Sequence, residues 1–142
     1  MKSLIKSLRL LVVVLCIALI NGCGIGGLLG EKTLAVTLDE YTVKLDSTLV
    51  SPAKVTFRVT NTGKEKHEFV ILRTDIERSK LPVQGDKVQE EAEGIEHIDE
   101  IDGLAPGEHK DLAVDLKAGT YLLICNYPGH VHGGMVTTLV VK

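Results

Sequence analysis

The sequence predicts an all-β domain, an antiparallel sandwich or barrel, on three observations. From Thr33 onward, apolar residues recur with a period of two rather than 3.6, the pattern of strands with one buried face. Turn-forming residues cut these runs into about eight short strands. The 120 residues that follow position 22 suffice for one domain with a single core.

The elements follow in order. Leu34, Val36 and Leu38 alternate with Thr33, Ala35 and Thr37, and Tyr41-Thr-Val-Lys-Leu45 continues the pattern. Val55, Phe57 and Val59 point one way while Thr56, Arg58 and Thr60 point the other. Asn61-Thr-Gly63 marks a turn, and His67-Glu-Phe-Val-Ile-Leu72 is the next strand. Residues 95–101 form another, turned by Leu104-Ala-Pro-Gly-Glu108 into residues 109–116. Lys117-Ala-Gly-Thr120 turns again, before Tyr121-Leu-Leu-Ile-Cys125 and residues 135–141. Residues 75–94 break the pattern. They are polar, contain Pro82 and Gly85, and read as an excursion with a short helix on either side of the 82–85 turn. From Asp75 to Asp102, ten acidic residues stand against Arg78, Lys80 and Lys87, a local net of −7. Either a solvated acidic loop or a partner-recognition patch accounts for that charge.

The N-terminus has another character. Lys2, Lys6 and Arg9 precede an uninterrupted apolar run of eleven residues, 10–20. That is too short to span a bilayer, which takes about 20 residues, and it reads as an export signal. Leu19-Ile20-Asn21-Gly22-Cys23 resembles the bacterial lipobox, which implies cleavage after residue 22, lipidation of Cys23 and a membrane-tethered mature protein. An ordinary signal peptide with a chance cysteine is the plainer alternative. Residues 1–22 are thus expected to be a lipoprotein signal peptide, residues 23–32 a lipid-anchored tether, and residues 33–142 the folded domain. The tether's nine residues beyond Cys23 reach at most roughly 30 Å, so the domain would sit near the membrane surface. Loss of the leader leaves 13 basic against 19 acidic residues, a formal charge of −6 rather than −3. Nucleic acid, which demands a basic face, is not an expected partner for such a chain.

With Cys16 removed and Cys23 acylated, Cys125 stands alone in an exported protein. An unpaired thiol there calls for intermolecular pairing, reactivity or metal ligation, and its neighbours support only the last. The segment Cys125-Asn-Tyr-Pro-Gly-His130-Val-His-Gly-Gly-Met135 puts a thiol, an imidazole and a thioether on one loop between two strand-like runs, and His67 opens an earlier strand. Zinc sites use Cys, His and carboxylates; a soft Met beside Cys selects copper. Three ligands on a loop pinned by paired strands, with a fourth from a neighbouring strand, make a rigid cage. Rigidity suits electron transfer, which needs little change of geometry between oxidation states.

Strand pattern and ligand loop together resemble the cupredoxins, the small blue copper proteins such as azurin, plastocyanin and their halocyanin- and sulfocyanin-like relatives. The specific part is Cys125-x4-His130-x4-Met135; the supporting part is Asn61-Thr-Gly-x3-His67-Glu-Phe. The resemblance implies a Greek-key sandwich of eight strands with one type 1 copper near one end. It implies Cys125 as thiolate ligand, His67 and His130 as neutral imidazole ligands through Nδ1, and Met135 as the axial thioether. Backbone amides near Asn126 and beside His67 would hydrogen-bond the sulfur. Several relatives have Asn directly after the first histidine, where this chain has Glu68. His132 reads as a loop residue and His97 and His109 as solvated, while Tyr127, Pro128 and Val131 would flank an exposed His130 edge.

The expected function is a membrane-anchored, exported carrier of single electrons between redox partner proteins, with an acidic face suited to cationic docking surfaces. It would not be an enzyme and would have no small-molecule substrate. The alternative is a copper-binding or copper-delivery lipoprotein. A Cys125 nucleophile with His130 as base leaves Met135 without a role, and a metal-free adhesion module leaves the convergence of ligand types unexplained.

Overall fold

The computed structural model describes residues 31–142. The expected signal peptide, Cys23 and all but the last two residues of the tether lie outside the described residues. Within them, no helix is long and apolar enough to cross a membrane.

Two sheets face each other. One runs β2 (Thr42–Leu45), β1 (Lys32–Asp39), β4 (Ala53–Asn61), β9 (His109–Leu116). The other runs β3 (Leu49–Val50), β11 (Val136–Val141), β10 (Gly119–Ile124), β5 (His67–Thr74), β8 (Ile95–Leu104). The chain changes sheets between β2 and β3, at both ends of β4, and at both ends of β9, the winding of a Greek-key sandwich. Period two becomes burial directly: Leu34, Val36, Leu38, Val55, Phe57 and Val59 are at most 1% exposed. Phe57 and Phe69 join the sheets across the core, ring centroids 5.4 Å apart. β9 spans the residues the sequence predicts, and β8 runs three residues further than expected, to Leu104.

Two findings depart from the sequence reading. The sheets are not wholly antiparallel, because β1 pairs parallel to β4 and β3 parallel to β11. Parallel neighbours need a crossover, and β2 with β3 supplies the one from β1 to β4. The excursion also differs. A 3-10 turn, Arg78–Lys80, precedes the 82–85 segment, but no helix follows it. Gly85 and Asp86 have φ of 57° and 65°, which closes a two-residue hairpin between β6 (Val83–Gln84) and β7 (Lys87–Val88).

That hairpin decides how β5 is buried. His67 through Leu72 are all buried, a continuous run rather than an alternation. Phe69 and Ile71 face the main core, while Val70 and Leu72 face a second cluster with Leu81, Val88, Leu122, Ile124 and Val131. The excursion therefore roofs the outer face of the sheet at the end where the ligand loop lies.

Candidate metal centre

The strand frame brings four side chains, one from a strand and three from a single loop, to one end of the sandwich. His67 opens β5 and is fully buried. Cys125 follows β10 by one residue, and Met135 precedes β11 by one; both are 0% exposed. His130 starts α1 (His130–Gly133), a single helical turn. The backbone closes this loop on itself: Cys125 N donates to Met135 O at 3.1 Å, and Met135 N donates to His130 O at 2.9 Å. Two glycines let it close. Gly129 sits at φ 82° before the turn, and Gly134 at φ 122° has a Cβ position only 2.8 Å from the Tyr41 carbonyl oxygen.

The donor atoms converge. Cys125 Sγ lies 3.8 Å from His67 Nδ1 and 3.3 Å from His130 Nδ1, and ligand atoms of the three residues fall within 4.8 Å of one another. Met135 is packed in the same core cluster as Cys125. The Glu68 amide donates to Cys125 Sγ at 3.4 Å. Burial pushes the Cys125 thiol above its ordinary value, while the Glu68 and Tyr127 amides pull it down. Burial, and next the neighbouring His130, hold His67 below the usual imidazole value, so the ring is neutral, the form that ligates a metal. Its Nε2 is buried without a hydrogen-bond partner, 3.8 Å from Glu40 Oε1.

Several residues at this end have roles that the sequence reading does not assign. Asn126 is clamped to β7: Val88 N donates to its Oδ1 at 2.7 Å, and its Nδ2 donates to Val88 O at 2.9 Å. Asn61 does the same for the segment leading to His67, donating to Glu65 O at 2.8 Å and Leu104 O at 2.9 Å. Glu68 is 93% buried (7% exposed), and burial is the main reason its carboxyl is pushed up to about 7. Val131 is turned into the second cluster, so it does not flank an exposed His130 edge. Tyr41, 55% exposed, takes that role with Tyr127, their ring centroids 6.2 and 5.8 Å from that of His130. His132 is mostly exposed, 4.0 Å from Asp86 and outside the donor cluster.

The residues fit a soft or borderline ion. One sulfur and one imidazole nitrogen from buried residues converge with a second imidazole from half-buried His130, a thioether residue packs alongside, and no carboxylate belongs to the set.

Comparison with known proteins agrees with this geometry. Residues 46–142, which include all four side chains, match the family model of the sulfocyanin (SoxE) domain. No curated protein sequence matches the chain. Among solved structures, an auracyanin from Roseiflexus castenholzii shares 22% identity at a TM-score of 0.58, over 78% of this chain and 97% of that one. Auracyanin A from Chloroflexus aurantiacus, a "blue" copper protein, shares 21% at 0.54, over 80% and 100%. Rusticyanin from Thiobacillus ferrooxidans shares 21% at 0.56, over 80% and 79%. These likenesses establish the cupredoxin sandwich.

Proposed function

The chain belongs to the sulfocyanin family of cupredoxins, and on that premise we propose that it is an exported, membrane-anchored carrier of single electrons. Cupredoxins are electron-transfer copper proteins rather than enzymes, and bind one type 1 copper. Copper supplies the one-electron couple between Cu(I) and Cu(II) when bound. In this chain His67, Cys125, His130 and Met135 would hold it. The observation that carries the reading is the meeting of His67 Nδ1 and Cys125 Sγ at 3.8 Å across 58 positions of sequence.

The protein's own groups hold the ligands still and dry. The two loop hydrogen bonds fix Cys125, His130 and Met135 relative to one another. The Glu68 amide fixes the sulfur against β5. Three of the four residues are fully buried, and only the His130 side chain, 15% exposed, reaches the surface. Its rim of Tyr41 and Tyr127 is where a redox partner would dock and where an electron would enter or leave. The acidic excursion would steer cationic partners, with a rate that falls as salt rises. Burial also argues against copper delivery, which needs ligands open to exchange. Anchoring rests on Gly22-Cys23 at the end of the apolar run. Cys23→Ser should release the protein from membranes, and retention would refute the anchor.

Optical and paramagnetic-resonance spectra of the copper-loaded domain test the centre. An intense blue Cu(II) form that Cys125→Ser abolishes, with the fold intact, is expected. A colourless copper complex would overturn the reading.

A further inference from the structure

The two-residue turn between β1 and β2 reaches the centre from the opposite sheet, and each of its residues meets a histidine. Glu40 Oε1 lies 3.8 Å from His67 Nε2, and the Tyr41 ring centroid lies 6.2 Å from that of His130. The turn is anchored on both sides. Thr62 donates to Leu38 O through its amide at 2.8 Å and its hydroxyl at 3.2 Å, which ties the end of β1 to the segment before His67. Tyr41 is seated on Gly133, where a Cβ would run into its ring.

Glu40 is fixed relative to His67. Its Oε1 accepts from the backbone amides of Lys64 and Glu65, the second at 2.9 Å, so the carboxylate is tied to the turn that leads into β5. Gly63 leaves room for it, since a Cβ there would lie 2.6 Å from the same oxygen. Glu65 stands equally far from His130 Nε2, 3.8 Å, but its side chain is mostly exposed and water screens it.

His67 supplies the second observation. Its ring is fully buried, and its Nε2 has no hydrogen-bond partner. Nδ1 is the nitrogen turned to Cys125 Sγ. A neutral ring that offers Nδ1 to an ion carries its hydrogen on Nε2. That N–H is then a buried donor without an acceptor, which is costly, and Glu40 Oε1 is the carboxylate oxygen beside it. The gap is about 0.6 Å beyond the long end of an N–H···O bond, so a slight rotation of either side chain closes it.

We propose that Glu40 is the positioning residue for His67: its carboxylate accepts the Nε2–H, fixes the tautomer that presents Nδ1, and sets a negative charge behind the ring. This role rests on His67 being a copper ligand. A carboxylate behind an imidazole ligand orients the ring and raises its basicity, and its charge favours Cu(II) over Cu(I).

Two variants separate position from charge. Glu40→Gln keeps an oxygen for the two amides and for Nε2–H but removes the charge, and Glu40→Ala removes both. Nitrogen-15 NMR of the His67 ring in the metal-free protein, at a pH where the ring is neutral, reads the tautomer. Hydrogen on Nε2 is expected in the parent and in Glu40→Gln, and a mixture of tautomers in Glu40→Ala. In the copper-loaded protein, Glu40→Gln should raise the reduction potential, a change of about threefold in the Cu(I) to Cu(II) ratio or about 28 mV for one electron. Glu96→Gln, which removes an exposed carboxylate paired with Arg73, should leave the potential unchanged. An Nε2–H tautomer undiminished in folded Glu40→Ala overturns the assignment, and so does a potential in Glu40→Gln no higher than that of Glu96→Gln. Should Glu40→Ala not fold, the potential of Glu40→Gln decides. The tautomer is read without metal, so failure of the copper reading leaves that result standing and is told apart from failure of the Glu40 role.

Discussion

Asn126→Ala should cost more than any single contact in the excursion. The Asn126 side chain both accepts from Val88 N and donates to Val88 O, at 2.7 and 2.9 Å, and Val88 is 4% exposed. Alanine strands a buried amide and a buried carbonyl, each worth about 1–3 kcal/mol when left unpaired. The hairpin around Gly85 is exposed and can yield toward water, which favours the lower part of that range. A loss of about 2–4 kcal/mol follows. For a domain of this size that is a fall of about 8–16 °C in melting temperature. Thermal unfolding of the parent, Asn126→Ala, Asn126→Asp and Gln89→Ala would measure it. Aspartate keeps the acceptor for Val88 N but sets a second carboxylate against Glu90, so at neutral pH it should do no better than alanine. Gln89 bonds only the exposed Gln84 through its side chain and should change stability by less than about 0.5 kcal/mol. A drop under about 3 °C for Asn126→Ala, or one no larger than that of Gln89→Ala, would refute the clamp.

Other outcomes follow from the same geometry. Phe57→Ala empties the contact between the sheets and should cost about 3–5 kcal/mol, read as a lower urea midpoint at unchanged slope. Gly134→Ala must hold φ 122° with a Cβ against the Tyr41 carbonyl, so a loss of about 1–3 kcal/mol is expected, together with weaker copper retention under a chelator. The side-chain hydrogen bond from Arg58 holds the Asp111 carboxyl below the usual aspartate range. A depressed folded value means that its contribution is present above the unfolded value and lost as pH falls through the folded one. Asp111→Asn should therefore lower the urea midpoint slightly at pH 7 and have no effect once acid has protonated the parent.

Most of the sandwich was legible because alternation is a direct record of which face is wet: Leu34-x-Val36-x-Leu38 and Val55-x-Phe57-x-Val59 could bury only one side. The ligand loop was legible because its residues are close in sequence and its strands pin both ends. What stayed hidden depends on contacts across the fold. Parallel pairing of β1 with β4 leaves no trace in either strand's own pattern. The run from His67 to Leu72 signalled burial on both faces without showing that the acidic excursion would supply the cover. Glu68 and Asn126 look like ordinary polar residues until that cover arrives. Tyr41 reaches the rim of His130 from a turn at φ 65°, a conformation unusual for tyrosine and invisible to periodicity.

The paired bonds from Cys125 to Met135 and from Met135 to His130 have a consequence for how the centre comes apart. Three side chains hang from one hydrogen-bonded ring of backbone, so a backbone displacement at any one of them is passed to the other two. Opening that ring would loosen three of the residues that would hold an ion together, and not one at a time.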